Sequence, residues 1–151
     1  MRATRGAFVI YATAVALNYP WELAQRTLFT PPSHNGNVWL HCFGSSLGDG
    51  LMILILFVAG WSAFGRRDWF VHPGPLQYAL LIVAGAILAV FVEWTAVHVL
   101  HRWRYADAMP RIPGIEMGIV PILQMVLLPP LIFHVSARLL RHMGHQAVVK
   151  P

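Results

Sequence analysis

The sequence is poor in charged residues, which make up 11% of its 151 positions. Soluble domains carry about 25% charged residues, and here hydrophobic residues reach 57%. The few charges are clustered, so long apolar runs separate them. This composition excludes a disordered chain, a coiled coil and an ordinary soluble enzyme. It favours one integral membrane domain over residues 1–151.

Cysteine is nearly absent, because Cys42 is the only one in the chain. A single cysteine excludes an intramolecular disulfide and a CxxC redox pair. The sequence also lacks a glycine-rich phosphate loop and the HExxH and GxSxG patterns of metalloproteases and serine hydrolases. The net charge of +5 is typical of anchoring to anionic lipid, and without a basic soluble domain we expect no nucleic-acid partner.

Four apolar stretches are long enough to cross a bilayer as helices, which takes about 20 residues each. They cover approximately residues 6–25, 39–64, 76–100 and 114–140, and residues 30–37 between the first two have the composition of a turn. The first stretch follows Arg2 and Arg5 and resembles a signal peptide, but its apolar run continues to Trp21, so we expect a retained helix. The sequence therefore predicts an all-α, polytopic membrane protein with a bundle of four transmembrane helices.

Arginine and lysine are unequally divided between the two sides of such a bundle. With four crossings, the side of the two termini holds seven basic residues and the opposite side four. The first set is Arg2, Arg5, Arg66, Arg67, Arg138, Arg141 and Lys150, and the second is Arg26, Arg102, Arg104 and Arg111. The positive-inside rule then places both termini in the cytoplasm. Arginine outnumbers lysine ten to one, which favours a GC-rich genome. We expect the protein to lie in the bacterial cytoplasmic (inner) membrane.

One carboxylate lies within or at the end of each predicted span, at Glu22, Asp49, Glu93 and Glu116. Asp49 lies about 15 Å into the second span, near the midplane, and Glu93 about 25 Å along the third. Glu22 is expected near the outer end of the first span and Glu116 in the first helical turn of the fourth. A carboxylate facing lipid costs on the order of 3 kcal/mol, so we expect Asp49 and Glu93 to face the bundle interior.

These residues predict a polar pocket that opens to the outer, periplasmic half of the bilayer and binds or acts on a lipid-like substrate, a proton or a metal ion. Asp49, Glu93 and His98 are the predicted catalytic residues, as acids and a proton shuttle. The expected substrate-binding residues, among which the arginines would hold an anionic head group, are Glu22, Arg102, Arg104, Glu116 and Gln124. His41 and His98 are candidate ligands of zinc, iron or manganese.

Two other interpretations fit the same residues. In the first, the acids only pair with nearby arginines, Asp49 is protonated and passive, and the chain is a non-catalytic accessory or scaffold subunit of a larger membrane complex. In the second, the protein is a b-type cytochrome with His41 and His98 as axial haem ligands. The sequence does not decide whether the protein is an enzyme or which cofactor it holds. Its expected partners are membrane lipids and either further copies of itself or a larger membrane complex.

Overall fold

The computed structural model describes residues 3–30 and 37–149, which form four helices joined by turns and one small hairpin. The helices are α1 (Ala3–Gln25), α2 (Val38–Phe64), α3 (Pro75–Trp94) and α4 (Ile119–Val149). A 3-10 turn at Arg26–Leu28 follows α1, and a π-helical turn at Thr95–Val99 extends α3. Arg2, Lys150 and the predicted turn over 31–36 lie outside the described residues.

Local sequence signals account for where α2 and α3 begin and end. Asn37 caps α2, because its side chain accepts a hydrogen bond from Trp39 N at 3.0 Å. Gly65 ends α2 with a φ of +68°, a left-handed conformation that glycine adopts without a steric penalty. Pro75 starts α3 at the first helical position, where its missing N–H costs no hydrogen bond. The two helices are therefore joined by a sharp, well-defined connection.

The four helices pack mainly as α1 against α2 and α4, and as α3 against α4. At Gly85 the backbones of α3 and α4 approach so closely that an added Cβ would lie 2.2 Å from the carbonyl oxygen of Met125. The apolar core is concentrated in the half of the bundle near the α2–α3 connection. Its largest buried members are Trp69, Phe70, Phe133, Ile10, Ile53, Leu56, Leu81 and Ile132. The other half of the bundle contains the buried polar residues.

Three of the four described helices are long and apolar enough to cross a membrane. They are α2, α3 with its π-helical turn (Pro75–Val99), and the Ile119–Met143 part of α4. The predicted helical architecture is confirmed to this extent. α1 has 23 residues, but Asn18, Glu22 and Gln25 lower its mean hydropathy, so it is not one of the three.

The segment before α4 corrects one sequence prediction. The fourth helix begins at Ile119 rather than at Gly114, because Arg111–Ile112 (β1) pairs antiparallel with Met117–Gly118 (β2). Glu116 was predicted in the first turn of the helix, which is wrong, since it lies exposed in the tight connection of this hairpin. Gly114 has a φ of +87° there. The short apolar run around Ile115 does not by itself distinguish a strand from a helix.

Candidate functional site

A carboxyl–amide cluster lies inside the bundle where α1, α2 and α4 meet. It consists of Asn18, Glu22 and Gln25 from α1, Asp49 from α2 and Gln124 from α4. The three α1 residues recur at spacings of four and three, which puts them on one face of the helix. Asn18 is fully buried, and Asp49 and Gln124 are only 8% and 3% exposed. The cluster is therefore an internal feature of the bundle.

Gln124 is the centre of this cluster. Its amide Nε2 lies 2.8 Å from Asn18 Oδ1, 3.0 Å from Asp49 Oδ2 and 3.2 Å from Glu22 Oε1. An amide nitrogen carries two hydrogens. Gln25 Nε2 donates to Glu22 Oε1 at 2.6 Å and to Gln124 Oε1 at 3.0 Å. Since Glu22 Oε1 already has this donor, the two Gln124 hydrogens suffice for Asn18 and Asp49, and a proton added to either carboxyl group would turn an acceptor into a donor.

No cation pairs with the buried carboxyl groups within residues 3–30 and 37–149. The ion pairs found there are Arg66 with Asp68 at 3.9 Å and Arg111 with Glu116 at 3.6 Å, both at the surface. The interpretation in which the acids only pair with arginines is therefore wrong for Glu22 and Glu93. It holds for Glu116, the exposed acid. The Glu22 and Asp49 carboxyl groups of the cluster contact amides and each other, an arrangement that can take up and release a proton.

Glu93, the buried acid of α3, is 6% exposed and is bound by a residue outside the helices. The Tyr105 hydroxyl donates a short hydrogen bond to Glu93 Oε2. Burial raises the pKa of Tyr105 above its ordinary range, and the hydrogen bond to the Glu93 carboxylate raises it further. Tyr105 therefore stays a hydrogen-bond donor at every physiological pH. The sequence predicts that Asp49 and Glu93 are both buried, and the structure shows that they are.

The position of Tyr105 is fixed by the chain segment that follows α1. Phe29 and Tyr105 form an antiparallel bridge, Thr30 N donates to Arg104 O at 2.9 Å, and Ala106 N donates to Leu28 O at 2.9 Å. On the other side an added Cβ at Gly118 would lie 3.0 Å from the Tyr105 ring. Backbone pairing and close packing thus hold the hydroxyl against Glu93.

An arginine–histidine cavity of about 280 Å³ lies at the end of α3, on the side of Tyr105. Most of its lining side chains are polar or cationic, and Glu116 is its one acid. The lining residues are Val97, His98, His101, Trp103, Arg104, Tyr105, Arg111 and Glu116. Two arginines and two histidines outnumber this one acid, so the lining favours an anionic ligand. Tyr105 connects this cavity to Glu93.

Several unusual features of the described chain occur around this one cavity. The π-helical turn supplies Val97 and His98, and π-helical turns are frequent at functional sites. His101 and Glu116 are the non-glycine residues with positive φ among those described, at +49° and +50°. Such conformations cost free energy and cluster at ligand sites. The Trp103 indole lies beside Glu93, yet its buried Nε1 has no hydrogen-bond partner in the described part of the chain.

The structure brings the predicted site residues into two groups. Asp49, Glu22 and Gln124 meet in the carboxyl–amide cluster, whereas His98, Arg104 and Glu116 line the cavity. Glu93 lies between the two groups through its bond to Tyr105. Two predicted residues belong to neither group. Arg102 and His41 are both exposed and do not line the cavity.

Sequence reasoning did not include five functional candidates among the site residues. Asn18 and Gln25 share a helical stripe with Glu22, so their spacing carried a usable signal. The other three, Tyr105, Trp103 and Arg111, lie outside the helices. Their positions depend on pairing with the Leu28–Thr30 segment and on the hairpin, and no local periodicity indicates either contact.

The metal and haem predictions depend on His41 and His98. Within the described ranges, no group of three or more histidine, cysteine, aspartate or glutamate side chains converges to hold a metal ion.

No family model, curated protein or solved structure matches the chain. The features of the protein that indicate a function are therefore the carboxyl–amide cluster, the arginine–histidine cavity and the Tyr105–Glu93 contact between them.

Proposed function

We propose that the protein is an integral membrane protein that binds a lipid-like molecule in the arginine–histidine cavity and exchanges protons with it through buried carboxyl groups. The observation that carries this proposal is the position of Tyr105. Its side chain lines the cavity and donates to Glu93, which is buried in the bundle. A cation-lined opening is thereby connected to a buried acid, the combination that general acid–base chemistry on an anionic ligand requires.

The proposed setting is the bacterial inner membrane, with four crossings and both termini in the cytoplasm. Besides the three apolar helices, large apolar side chains remain exposed on the outer faces, such as Leu51, Ile87, Phe91 and Leu127. α1, at 23 residues, is about 35 Å long and matches the hydrocarbon core of about 30 Å. Its polar stripe faces α2 and α4, which leaves apolar residues such as Phe8 to face lipid.

Reporter fusions distinguish four crossings from three. With four crossings, reporters before residue 1 and after Pro151 should both report the cytoplasm, whereas a reporter inserted within Ser33–Asn37 should report the opposite side. If α1 stays outside the bilayer, the three apolar helices leave the two termini on opposite sides. Opposite signals from the terminal reporters would contradict the four-crossing proposal.

The chemistry of the cavity limits the ligand that it fits. Four cationic or ionisable donors, His98, His101, Arg104 and Arg111, attract an anionic group. A volume of about 280 Å³ is at the small end of ligand pockets, so it suits a head group rather than a whole large ligand. Glu93 lies behind Tyr105 and exchanges a proton with the bound ligand through the Tyr105 hydroxyl.

Tyr105→Phe tests the connection between cavity and buried acid. The change removes one hydroxyl and keeps the ring against Gly118. A hydrogen bond to a charged group contributes about 1.5–3 kcal/mol, so we expect a loss of function of at least roughly tenfold. In a strain that lacks the gene, about tenfold more of the variant should be needed to restore the wild-type phenotype. Tyr78→Phe, the same change near the start of α3, is the control and should behave like the wild type.

A further inference from the structure

We infer that the ligand is an anionic glycerophospholipid that lies along α3, with its phosphate in the arginine–histidine cavity and one acyl chain in an apolar groove. The groove consists of Ala86, Ile87, Val90, Phe91 and Trp94 and has a volume of about 460 Å³. This inference deepens the proposed function and rests on it.

The cavity and the groove are neighbours on one helix. Trp94 lines the groove and His98 lines the cavity, and their ring centroids are 6.2 Å apart. Along α3 the groove occupies residues 86–94, which lie within the apolar span, and the cavity follows at its end. An amphiphile oriented like the surrounding lipid would place its head and its chain in this same order. The cavity and the groove therefore fit the head and the acyl chain of one molecule.

The cavity favours a phosphate as the head group. Arg104 and Arg111 supply guanidinium groups, whose planar donors match phosphate oxygens and whose positive charge disfavours a cationic head group such as choline. The Arg111–Glu116 distance of 3.6 Å is longer than a hydrogen bond, so Arg111 retains donors for a ligand.

Photo-crosslinking tests the inference on the full-length protein in phosphatidylcholine vesicles. Each vesicle preparation contains a small fraction of one probe, either phosphatidylglycerol or phosphatidylcholine, that carries a diazirine on the same acyl chain. We expect the phosphatidylglycerol probe to label residues 86–94 about tenfold more than the phosphatidylcholine probe. Each arginine near an anionic lipid contributes up to about fivefold to binding, so the two together account for this preference, and labelling of the Arg104→Gln/Arg111→Gln variant should fall about tenfold, to the level of the phosphatidylcholine probe.

Arg67→Gln is the control, because Arg67 lies over the Trp61 ring at the opposite end of the bundle. It should leave labelling of 86–94 unchanged. Equal labelling by the two probes, or labelling that survives the double arginine change, would show ordinary lipid contact and overturn the inference. The Tyr105→Phe complementation result is independent of these labelling outcomes, so it shows separately whether the proposed function fails.

Discussion

Gln124→Leu should destabilise the bundle strongly. Leucine has a similar size but donates no hydrogen bond, so Asn18 and Asp49 would lose their donor, whereas Glu22 would keep Gln25. Each buried polar group left without a partner costs about 1–3 kcal/mol, and more when it is charged. We therefore expect a loss on the order of 3 kcal/mol or more in the free energy of unfolding. Reversible unfolding in mixed detergent micelles would measure it.

A second substitution separates lost hydrogen bonds from lost packing. In Gln124→Leu/Asp49→Leu the acceptor at Asp49 is also removed, and replacing both partners by apolar groups is often nearly neutral. The double variant should therefore recover part of the stability. Leu127→Ala, at an exposed position one turn further along α4, is the control and should cost little. A Gln124→Leu protein as stable as the wild type would contradict the central role of Gln124.

Asp49→Asn and Glu93→Gln should keep the fold and lose the function. Asparagine still offers an oxygen to Gln124 Nε2. Glutamine likewise keeps an oxygen for the Tyr105 hydroxyl. Neither amide takes up or releases a proton near neutral pH, so a role in general acid–base chemistry should be lost with an effect of about 100-fold or more. The measurement is complementation of the deletion strain at matched protein yield.

Asp107→Asn is the matched control for the carboxyl variants. Asp107 is exposed in the segment between Tyr105 and the hairpin, so the same chemical change there should leave complementation intact. If Asp49→Asn and Glu93→Gln both complement fully at normal yield, the function does not require ionisation of these carboxyl groups. The accessory-subunit interpretation would then be preferred, and purification of the protein with a stoichiometric partner would support it.

The internal polar residues were predictable because two physical rules act within single helices. An ionisable group in an apolar helix is costly toward lipid, which predicts the buried sides of Asp49 and Glu93. The spacing of Asn18, Glu22 and Gln25 predicts their shared face. This face contacts Gln124 because α1 and α4 are neighbours. Such neighbours are common in a small bundle whose helices are joined by short connections.

The cavity was less predictable because it depends on contacts between distant segments. Tyr105 is placed by pairing with Phe29, 76 positions earlier in the chain, and by the close approach of Gly118. The hairpin that positions Arg111 begins in a proline-containing stretch that reads as an extended loop, followed by an apolar run that reads as helix. The π-helical turn that supplies His98 also has no sequence signature in this chain. These features depend on tertiary context rather than on local preference.

The separation of the cluster along the chain affects how the protein is made. Asn18 and Gln124 are 106 positions apart, so at ribosomal speeds α4 emerges roughly 5 to 20 s after α1. If α1 crosses the membrane as proposed, its polar stripe has no partner from α4 during that interval, and its polar residues make it costly to hold in lipid by itself. Its stable insertion is therefore expected to wait for the last helix. A nascent chain that stops before α4 would leave its first helix unprotected, a natural target for membrane quality-control proteases.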